Sequence, residues 1–430
     1  MRLPVGLLAA YAAPSLPLAA MYFPVYVFLA EFYAGRGLSL GFIGAAFIAV
    51  RVFDAVSDPA MGLVSDRLRT RWGRRRIWLA LGCPVVMVAA WGLFVPPEGA
   101  GAGWFVGFLF ALTLGWTVML TPYFAWGAEI SGDYRQRGRV TVWRDAIGLV
   151  GTILAAVLYS LGTDAGGGLR LVAGFIVAAL PICVAFCLWR VPEPRDFTRP
   201  QPGAAGILTV LRRQPVFSRL LLAYFINGAA NALPATLFLF FVEHRLGAPD
   251  QGGPLLVLYF GAAVAAAPFW TFALRHVSKH RLWCGAMIYA SAIFATALLL
   301  GPGDITAFAV ICVLSGAALG ADLALPSAMQ ADLVDVHTAE TGQQRTGAFF
   351  ALWSLATKFA LALAGGAALI ALEAAGFDAN ALNQAAALTA LALLYALAPV
   401  ILKAVSIMLM WHFPLDASAQ ATLREKIEGA

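Results

Sequence analysis

The segment Gly62-Leu-Val-Ser-Asp66-Arg67-Leu-Arg-Thr-Arg-Trp-Gly73-Arg74-Arg75-Arg76 separates two long apolar runs, 39–64 and 77–95. The segment carries six arginines within ten residues, whereas the run 77–95 carries no charge and the run 39–64 carries three charged residues. A helical apolar run of about 20 residues crosses a hydrocarbon layer of about 30 Å. The pattern therefore predicts two membrane-spanning helices joined by a short, strongly basic loop.

The rest of the chain repeats this alternation of apolar runs and polar breaks. Of 430 residues, 61% are hydrophobic and 12% are charged, whereas soluble domains are about 45–50% apolar and about 25% charged. This composition excludes a soluble globular protein, and continuous apolar runs without period-two alternation exclude a β-barrel. We predict an all-α membrane protein with twelve transmembrane helices, at roughly 5–32, 39–64, 77–95, 103–128, 141–161, 169–189, 217–242, 254–274, 282–300, 305–329, 347–373 and 384–411.

The basic residues show which side of the membrane each loop faces. With the N-terminus inside, 22 of the 29 lie on the cytoplasmic side and only Arg36, Arg170 and Arg245 lie on the opposite side. The other four, Arg51, Arg144, Lys358 and Lys403, fall within spans. This asymmetry follows the positive-inside rule and predicts that both termini are cytoplasmic. The net charge of +6 is thus a signal of topology, and no nucleic-acid partner is expected. The first run lacks a cleavage site, so we interpret it as a span and not as a removable signal.

The chain divides into two halves at a long polar break. We predict an N-terminal six-helix half at 1–189, a cytoplasmic linker at 190–216, a C-terminal six-helix half at 217–411 and a cytoplasmic tail at 412–430. An internal repeat supports this division, because Gly115 to Pro122 followed by Glu129 is echoed by Gly320 to Pro326 followed by Asp332. Such repeats are typical of transporters whose two halves arose by duplication.

Two aspartates, Asp54 and Asp58, lie one turn apart in the second span. Their i, i+4 spacing places both carboxylates on one face of the helix. A charge within a span is costly, so a pair of acids there usually faces a cavity and handles an ion or a proton. In the alternative interpretation, Arg51 neutralises Asp54 and the residues only stabilise helix packing. The five cysteines all lie in apolar runs and predict neither disulfides nor a metal site.

The string that runs from these aspartates through Asp66-Arg67 to Gly73-Arg74 resembles the melibiose carrier family. This family, the glycoside-pentoside-hexuronide:cation symporters, belongs to the major facilitator superfamily. The resemblance continues in both halves, at Pro122-Tyr123, Glu129, Arg137, Arg144, Asp332-Leu-Val-Asp335, Gly342, Arg345, Gly347, Trp353 and Lys358. It implies the major facilitator fold and a secondary active transporter. Such a protein couples Na⁺ or H⁺ to symport of a sugar or related small solute by alternating access.

The resemblance also implies roles for individual residues. Asp54, Asp58 and Thr117 match the family's cation site, and oxygen ligands suit Na⁺ whereas a carboxylate pair also suits H⁺. Lys358 matches the lysine of helix eleven that lies near this site and is predicted to couple the cation to the solute; its alternative is a lysine that snorkels to an interface. Arg144 matches the arginine of helix five near the substrate. No cofactor is expected beyond Na⁺ as the candidate coupling ion.

The expected solute site differs from that of melibiose carriers. Span one has no acid before Glu31, and Leu120 occupies the position of the second sugar-binding acid. Aromatic side chains that can stack on a ring are Tyr22, Tyr26, Trp116, Phe124 and Trp353. Asp322 is a candidate ligand for the substrate or a proton, because the repeat equates it with Thr117. Its alternative is an ion pair with Lys358 or Arg144.

A further set of charged residues is predicted at the cytoplasmic ends of the helices. In the superfamily such residues resemble an inner gate, whose ion pairs form in the outward-facing state and separate in the inward-facing state. The alternative for any one arginine is a solvated loop. The set comprises Asp66, Arg67, Glu129, Arg137, Arg139, Asp332 and Arg345.

Two other functions remain open from the sequence. One is a carrier of lysolipids or other amphiphiles in the same family, since the sugar-binding acids are absent. The other is a membrane scaffold or sensor that does not transport. An enzyme is not expected, because the sequence shows no nucleophile–base pair, metal set or phosphate loop. The expected partners are a solute, a coupling cation and the lipid bilayer of the cell (inner) membrane, and the protein is expected to be a monomer.

Overall fold

The computed structural model describes residues 3–68, 70–131, 134–193, 214–341 and 346–414. Fifteen α-helices account for most of the described residues. In the first half they are α1 (Val5–Ala12), α2 (Ser15–Val27), α3 (Leu29–Ala34), α4 (Leu40–Arg67), α5 (Arg76–Phe94), α6 (Ala102–Glu129), α7 (Tyr134–Ser160) and α8 (Ala165–Arg190). In the second half they are α9 (Pro215–Phe240), α10 (Gly252–Ala273), α11 (Lys279–Ala295), α12 (Ile305–Thr341), α13 (Thr346–Ala374), α14 (Ala385–Ala392) and α15 (Ala398–Met410).

Twelve segments of these helices are long and apolar enough to cross a membrane, which confirms the predicted number. The protein is therefore a multi-pass membrane protein with an all-α fold. The largest difference in length concerns α12, where the predicted span ends at 329 but the helix continues to Thr341. Hydropathy detects only the apolar part of a helix, so the polar final turns of α12 were missed.

Prolines in the first, fourth and tenth spans, among them Pro122 and Pro326, predict from the sequence that these three spans are broken. The first span breaks after Ala12, near Pro14, and again at Phe28. In contrast, Pro122 and Pro326 both lie inside continuous helices, α6 and α12. A proline removes one intrahelical hydrogen bond, but neighbouring helices can compensate for this loss in a membrane protein. The prediction of broken fourth and tenth spans was therefore wrong.

The chain forms two compact units, Met1–Thr198 and Arg199–Ala430. The helices of the two units pack in the same order. In unit 1, α2 packs on α7 and α8, and α6 packs on α4 and α5. In unit 2, α9 packs on α13 and α15, and α12 packs on α10 and α11. If the spans are counted from one in each unit, these are the same four pairs, so the two halves are pseudo-symmetric as the repeat predicted.

Glycines allow the corresponding helices to approach closely in both units. A Cβ added to Gly151 on α7 would lie 2.1 Å from the carbonyl oxygen of Leu16 on α2. A Cβ added to Gly365 on α13 would lie 2.5 Å from Oγ1 of Thr236 on α9. Small residues at such contacts are a common means of packing helices in membranes, where no hydrophobic force drives helices together.

Candidate cation and substrate site

The predicted cation site is assembled in unit 1 from helices α4 and α6. Thr117 Oγ1 lies 2.9 Å from Oδ1 of Asp58 and 3.3 Å from Oδ1 of Asp54. The hydroxyl of α6 thus bridges the two carboxylates of α4, as the resemblance implied. Pro59 has no N–H, so the carbonyl of Ala55 does not receive the usual amide of the next turn. The site offers oxygen atoms only, which is the ligand type that hard cations prefer.

Arg51 forms an ion pair with Asp54 one turn away on α4. Asp54 is 2% exposed and Arg51 is 5% exposed, so the pair is shielded from water. The alternative interpretation of the aspartates is therefore correct for this contact. It does not account for Asp58, whose carboxylate bonds Thr117 and is only half-buried.

Three predicted substrate residues surround this ion pair. The ring of Tyr22 lies 4.8 Å from that of Tyr26 and stacks on Trp116 at 4.9 Å between centroids. The guanidinium carbon of Arg51 lies 5.2 Å from the Tyr26 ring and 5.9 Å from the Tyr22 ring. These distances are typical of cation–π contacts. The aromatic residues and the acid pair thus form one continuous cluster in unit 1.

Two further predicted substrate residues meet elsewhere in unit 1. The guanidinium of Arg144 on α7 lies 4.2 Å above the ring of Phe124 on α6. The same guanidinium pairs with its neighbour Asp145 at 2.8 Å, and that carboxylate is mostly exposed. The partner of Arg144 is thus Asp145 on the same helix. Its charge and the exposed face of Phe124 form a polar and aromatic surface.

Asp322 on α12 lies in a buried polar network of unit 2. Its Oδ2 lies 2.8 Å from Nζ of Lys403 on α15 and accepts a hydrogen bond from Asn231. Its Oδ1 accepts a hydrogen bond from Nε1 of Trp283 at 2.9 Å. Asn227 accepts a second hydrogen bond from Lys403. Asp322 thus forms an ion pair, as the alternative interpretation expected, and its partner is Lys403.

The proposed equivalence of Asp322 and Thr117 was also wrong. Thr117 faces α4, whereas Asp322 faces α9, α11 and α15. The two copies of the repeat differ in spacing, because Pro122 lies seven positions after Gly115 whereas Pro326 lies six positions after Gly320. A shift of one residue turns a helical side chain by about 100°. Alignment by the glycines therefore assigned Asp322 to the wrong face.

The two remaining predicted residues of unit 2 lie together on α13. Trp353 stacks on Tyr224 of α9 with the ring centroids 3.8 Å apart. The hydroxyl of Tyr224 bonds Thr357, the residue before Lys358. Lys358 is 9% exposed and lies in the interior of α13, so the side chain does not snorkel to an interface.

Two of the predicted gate residues form ion pairs at corresponding places in the two units. Glu129 at the end of α6 accepts hydrogen bonds from Arg74 and Arg75 at 2.6 Å, next to the start of α5. Asp332 of α12 pairs with Lys279, the first residue of α11. The repeat predicted that Glu129 and Asp332 correspond, and the structure confirms it. The basic partners were not among the predicted gate residues.

The structure describes only some of the other predicted gate residues. Arg67 is exposed at the end of α4, and Arg139 donates a hydrogen bond to Gln136 at 2.9 Å. Arg345 and the side chains of Asp66 and Arg137 lie outside the described part of the chain.

Sequence reasoning missed the role of Glu193. Its carboxylate accepts hydrogen bonds from the backbone amides of Arg74 and Arg75 at 2.6 and 2.7 Å, and thereby caps the start of α5. Gly73 has φ +110°, and an added Cβ there would lie 2.5 Å from that carboxyl group. No motif surrounds Glu193, so only the fold could reveal this contact. Lys403, in contrast, was visible as a cation inside an apolar span.

No three His, Cys, Asp or Glu side chains gather to hold a metal ion among the described residues. The candidate cation site offers two carboxylates and a hydroxyl. All five cysteines are free thiols.

Comparison with known families and proteins gives a consistent result. The sequence model described as MFS/sugar transport protein matches residues 10–417. The chain is 28% identical to the inner membrane symporter YicJ of Escherichia coli over 383 residues, which cover 80% of this chain and 76% of that protein. It is 23% identical to the sodium-dependent lysophosphatidylcholine symporter 1-B of Danio rerio, covering 85% of this chain and 78% of that protein.

Solved structures show the same architecture. A variant of the nucleoside transporter NupG superposes with a TM-score of 0.68, covering 94% of this chain and 98% of that chain. At 12% sequence identity this likeness concerns the fold alone. The expected fold, with twelve spans in two six-helix halves, is thus confirmed.

Proposed function

This chain belongs to the family of MFS/sugar transport proteins, and we propose that it carries out symport of a sugar or related small solute, driven by Na⁺ or H⁺, through alternating access. The observation that carries this proposal is the pair of carboxylates on α4 bridged by Thr117. Similarity to proteins named as symporters, one of them sodium-dependent, supports it. The role of the chain is accordingly transport rather than catalysis.

The coupling cation is proposed to bind between Asp54, Asp58 and Thr117. Two adjacent carboxylates in a membrane repel each other unless protons or cations compensate their charges. A bound cation therefore lowers the free energy of the loaded state, and the same coupling free energy then favours the solute. Lys358 is proposed as the coupling residue of the second unit, because it is a buried cation in the interior of a helix.

The solute is proposed to contact Arg144, Phe124 and the aromatic residues beside the cation site. Arg144 can donate hydrogen bonds to the oxygens of a solute, while the face of Phe124 can pack against a ring. Trp353 and Asp322 are proposed contributions from unit 2, although the bonds that Asp322 makes favour a supporting role. The positions of the melibiose carrier's sugar-binding acids hold no acid here, which favours a solute other than a galactoside.

The proposal also covers the orientation of the chain in the membrane and its cytoplasmic gate. The excess of basic residues in one set of loops supports cytoplasmic termini in the cell membrane. The charged ends of the helices, including Glu129 and Asp332, are proposed to belong to the inner gate. We expect the transporter to work as a monomer.

The decisive experiment uses purified protein in proteoliposomes under an inward Na⁺ or H⁺ gradient, with a panel of radiolabelled sugars and sugar acids. Asp58→Asn should abolish cation-driven accumulation while the protein still expresses and folds. Asp250→Asn, which removes the same charge from an exposed loop position, should accumulate solute normally. Concentrative uptake by the Asp58→Asn variant would disprove the proposed cation site.

A second candidate is a carrier of lysolipids. The observation that favours it is the similarity to a lysophosphatidylcholine symporter over most of both chains. Competition tests separate the two candidates, because lysolipids but not sugars would then inhibit uptake. Absence of both uptake and counterflow for every solute would favour a membrane scaffold instead.

A further inference from the structure

Three buried hydrogen-bond donors next to the cation site have no partner among the described residues. They are Nε of Arg51, Oη of Tyr26 and Nε1 of Trp116. A buried polar group without a partner costs about 1–3 kcal/mol, so native structures usually keep such groups for a reason. All three atoms can donate a hydrogen bond, whereas the neighbouring acceptors, Asp54 and Asp58, already bond Arg51 and Thr117. The cluster therefore contains three donors that could bind an added hydrogen-bond acceptor.

Arg51 has a particular position in this cluster. Its guanidinium forms an ion pair with Asp54, which is one of the two carboxylates of the proposed cation site. The same guanidinium lies against Tyr22 and Tyr26, which can hold it through their ring faces if the ion pair breaks. An internal cation thus already pairs with one of the two carboxylates that are proposed to bind the coupling cation.

We propose that Arg51 is a switch between the cation site and the solute, which binds through an oxyanion. Without the coupling cation, Arg51 pairs with Asp54. When the cation binds to Asp54 and Asp58, Arg51 loses its partner and turns to an oxyanion of the solute, joined by the Tyr26 hydroxyl and the Trp116 indole. This inference rests on the proposed function, since it assumes that a cation binds at Asp54 and Asp58.

The physical reason for such a switch is the high cost of a buried unpaired charge. A coupling cation that displaces Arg51 leaves a buried guanidinium without a counter-ion, and this state is unfavourable unless another anion is supplied. An oxyanion meets this need, because guanidinium groups bind carboxylates and phosphates through two parallel hydrogen bonds. Cation and solute therefore stabilise each other's binding, and neither is favoured alone.

Two classes of solute carry the required group. One is a sugar acid, with a carboxylate, and the other is a lysolipid, with a phosphate. A neutral polyol would leave the guanidinium unpaired and is expected to bind poorly. The shared chemistry is an oxyanion, and the test below distinguishes its two sources.

The experiment measures ligand binding by thermal shift on the full-length protein in detergent. The coupling ion is the one that drives uptake by the unaltered protein. Its concentration is varied by adding NaCl if it is Na⁺, or by changing the pH if it is H⁺. In Arg51→Gln the internal competitor is absent, so this ion should bind at least about tenfold more tightly, which corresponds to about 1.4 kcal/mol. Arg51→Lys keeps the charge and should retain an affinity near that of the unaltered protein. Arg36→Gln, which removes a charge from an exposed loop, is the matched control.

The solute arm uses D-glucuronate and oleoyl lysophosphatidate, with D-glucose and mono-oleoylglycerol as their neutral counterparts. In the unaltered protein one oxyanion should stabilise the fold only when the coupling ion is present. In Asp54→Asn, where the carboxylate is already neutral, the same oxyanion should bind without the ion. Arg51→Gln should lose this response. Whichever oxyanion stabilises the protein identifies the source.

The possible failures are distinguishable. If the unaltered protein shows no uptake driven by Na⁺ or H⁺, the proposed function fails. If Asp58→Asn abolishes the response to the ion but Arg51→Gln binds that ion no more tightly than the Arg36→Gln control, only the switch is wrong. Equal stabilisation by neutral and anionic solutes also overturns it. If Arg51→Gln does not fold, the Asp54→Asn variant provides the test. The proposal is wrong if the oxyanion binds to Asp54→Asn only when the coupling ion is present.

Discussion

Nζ of Lys403 lies 2.8 Å from Oδ2 of Asp322 inside unit 2, and each residue is only 7% exposed. Asn227, Asn231 and Trp283 complete the hydrogen bonding of the two charges. Because both charges are removed from water, they stabilise the fold only as a pair. The pair therefore links α12 to α15 inside unit 2.

Removal of one charge of this pair should be more harmful than removal of both. Lys403→Met leaves the Asp322 carboxylate buried without its counter-ion, at a cost of about 3–5 kcal/mol. The double variant Lys403→Met with Asp322→Asn has no uncompensated charge and should regain most of the lost stability. The melting temperature in detergent measures both effects. Additive losses in the double variant would show that the two residues act independently.

The ion pairs at the start of α5 and α11 should differ in strength. Glu129 bonds two arginines, whereas Asp332 bonds one lysine that is one-third exposed. Charged hydrogen bonds contribute about 1.5–3 kcal/mol when buried, whereas exposed pairs contribute about 0–1 kcal/mol. Glu129→Gln should therefore lower the melting temperature more than Asp332→Asn. The reverse order would show that the exposed pair is the stronger one. Exchange of Lys279 and Asp332 should restore the second pair.

Gly73 should tolerate alanine poorly. Its φ of +110° is strained for any residue with a side chain, and the added Cβ would lie 2.5 Å from the Glu193 carboxyl group. Gly73→Ala should displace Glu193 from the start of α5 and destabilise the protein by about 1–3 kcal/mol. Gly99→Ala is the matched control, because Gly99 also has a positive φ of +77° but no atom within 4 Å of the added Cβ. Equal melting temperatures for the two variants would argue against the role of Glu193.

The hydroxyl of Thr117 should determine the affinity for the coupling ion. Thr117→Val keeps the shape of the side chain but removes the oxygen that lies 2.9 Å from Asp58. We expect the ion to bind about tenfold more weakly, since one lost polar ligand corresponds to about 1.4 kcal/mol. Thr117→Ser retains the hydroxyl and should bind the ion almost normally. Thermal shift against NaCl concentration or pH measures the affinity. An unchanged affinity in the valine variant would remove Thr117 from the site.

The predictions from sequence succeeded where one helix or one pattern was sufficient. Asp54 and Asp58 lie on one face because the spacing of four residues requires it. The correspondence of Glu129 with Asp332 followed from the repeat. The same repeat failed for Asp322, because a difference of one residue in spacing turns a side chain to another neighbour. The partner of Asp322 lies 81 residues away in sequence, on α15.

Length, hydropathy and the order of polar breaks determined by themselves that the chain forms twelve spans in two halves. These properties are local, because a bilayer requires every apolar segment to satisfy its backbone within its own helix. Only the tertiary structure decided which charges distant in sequence neutralise one another: Lys403 with Asp322, and Arg74 and Arg75 with Glu129. Ion pairing depends on the rotation and the neighbours of each helix, and a shift of a single residue changes both.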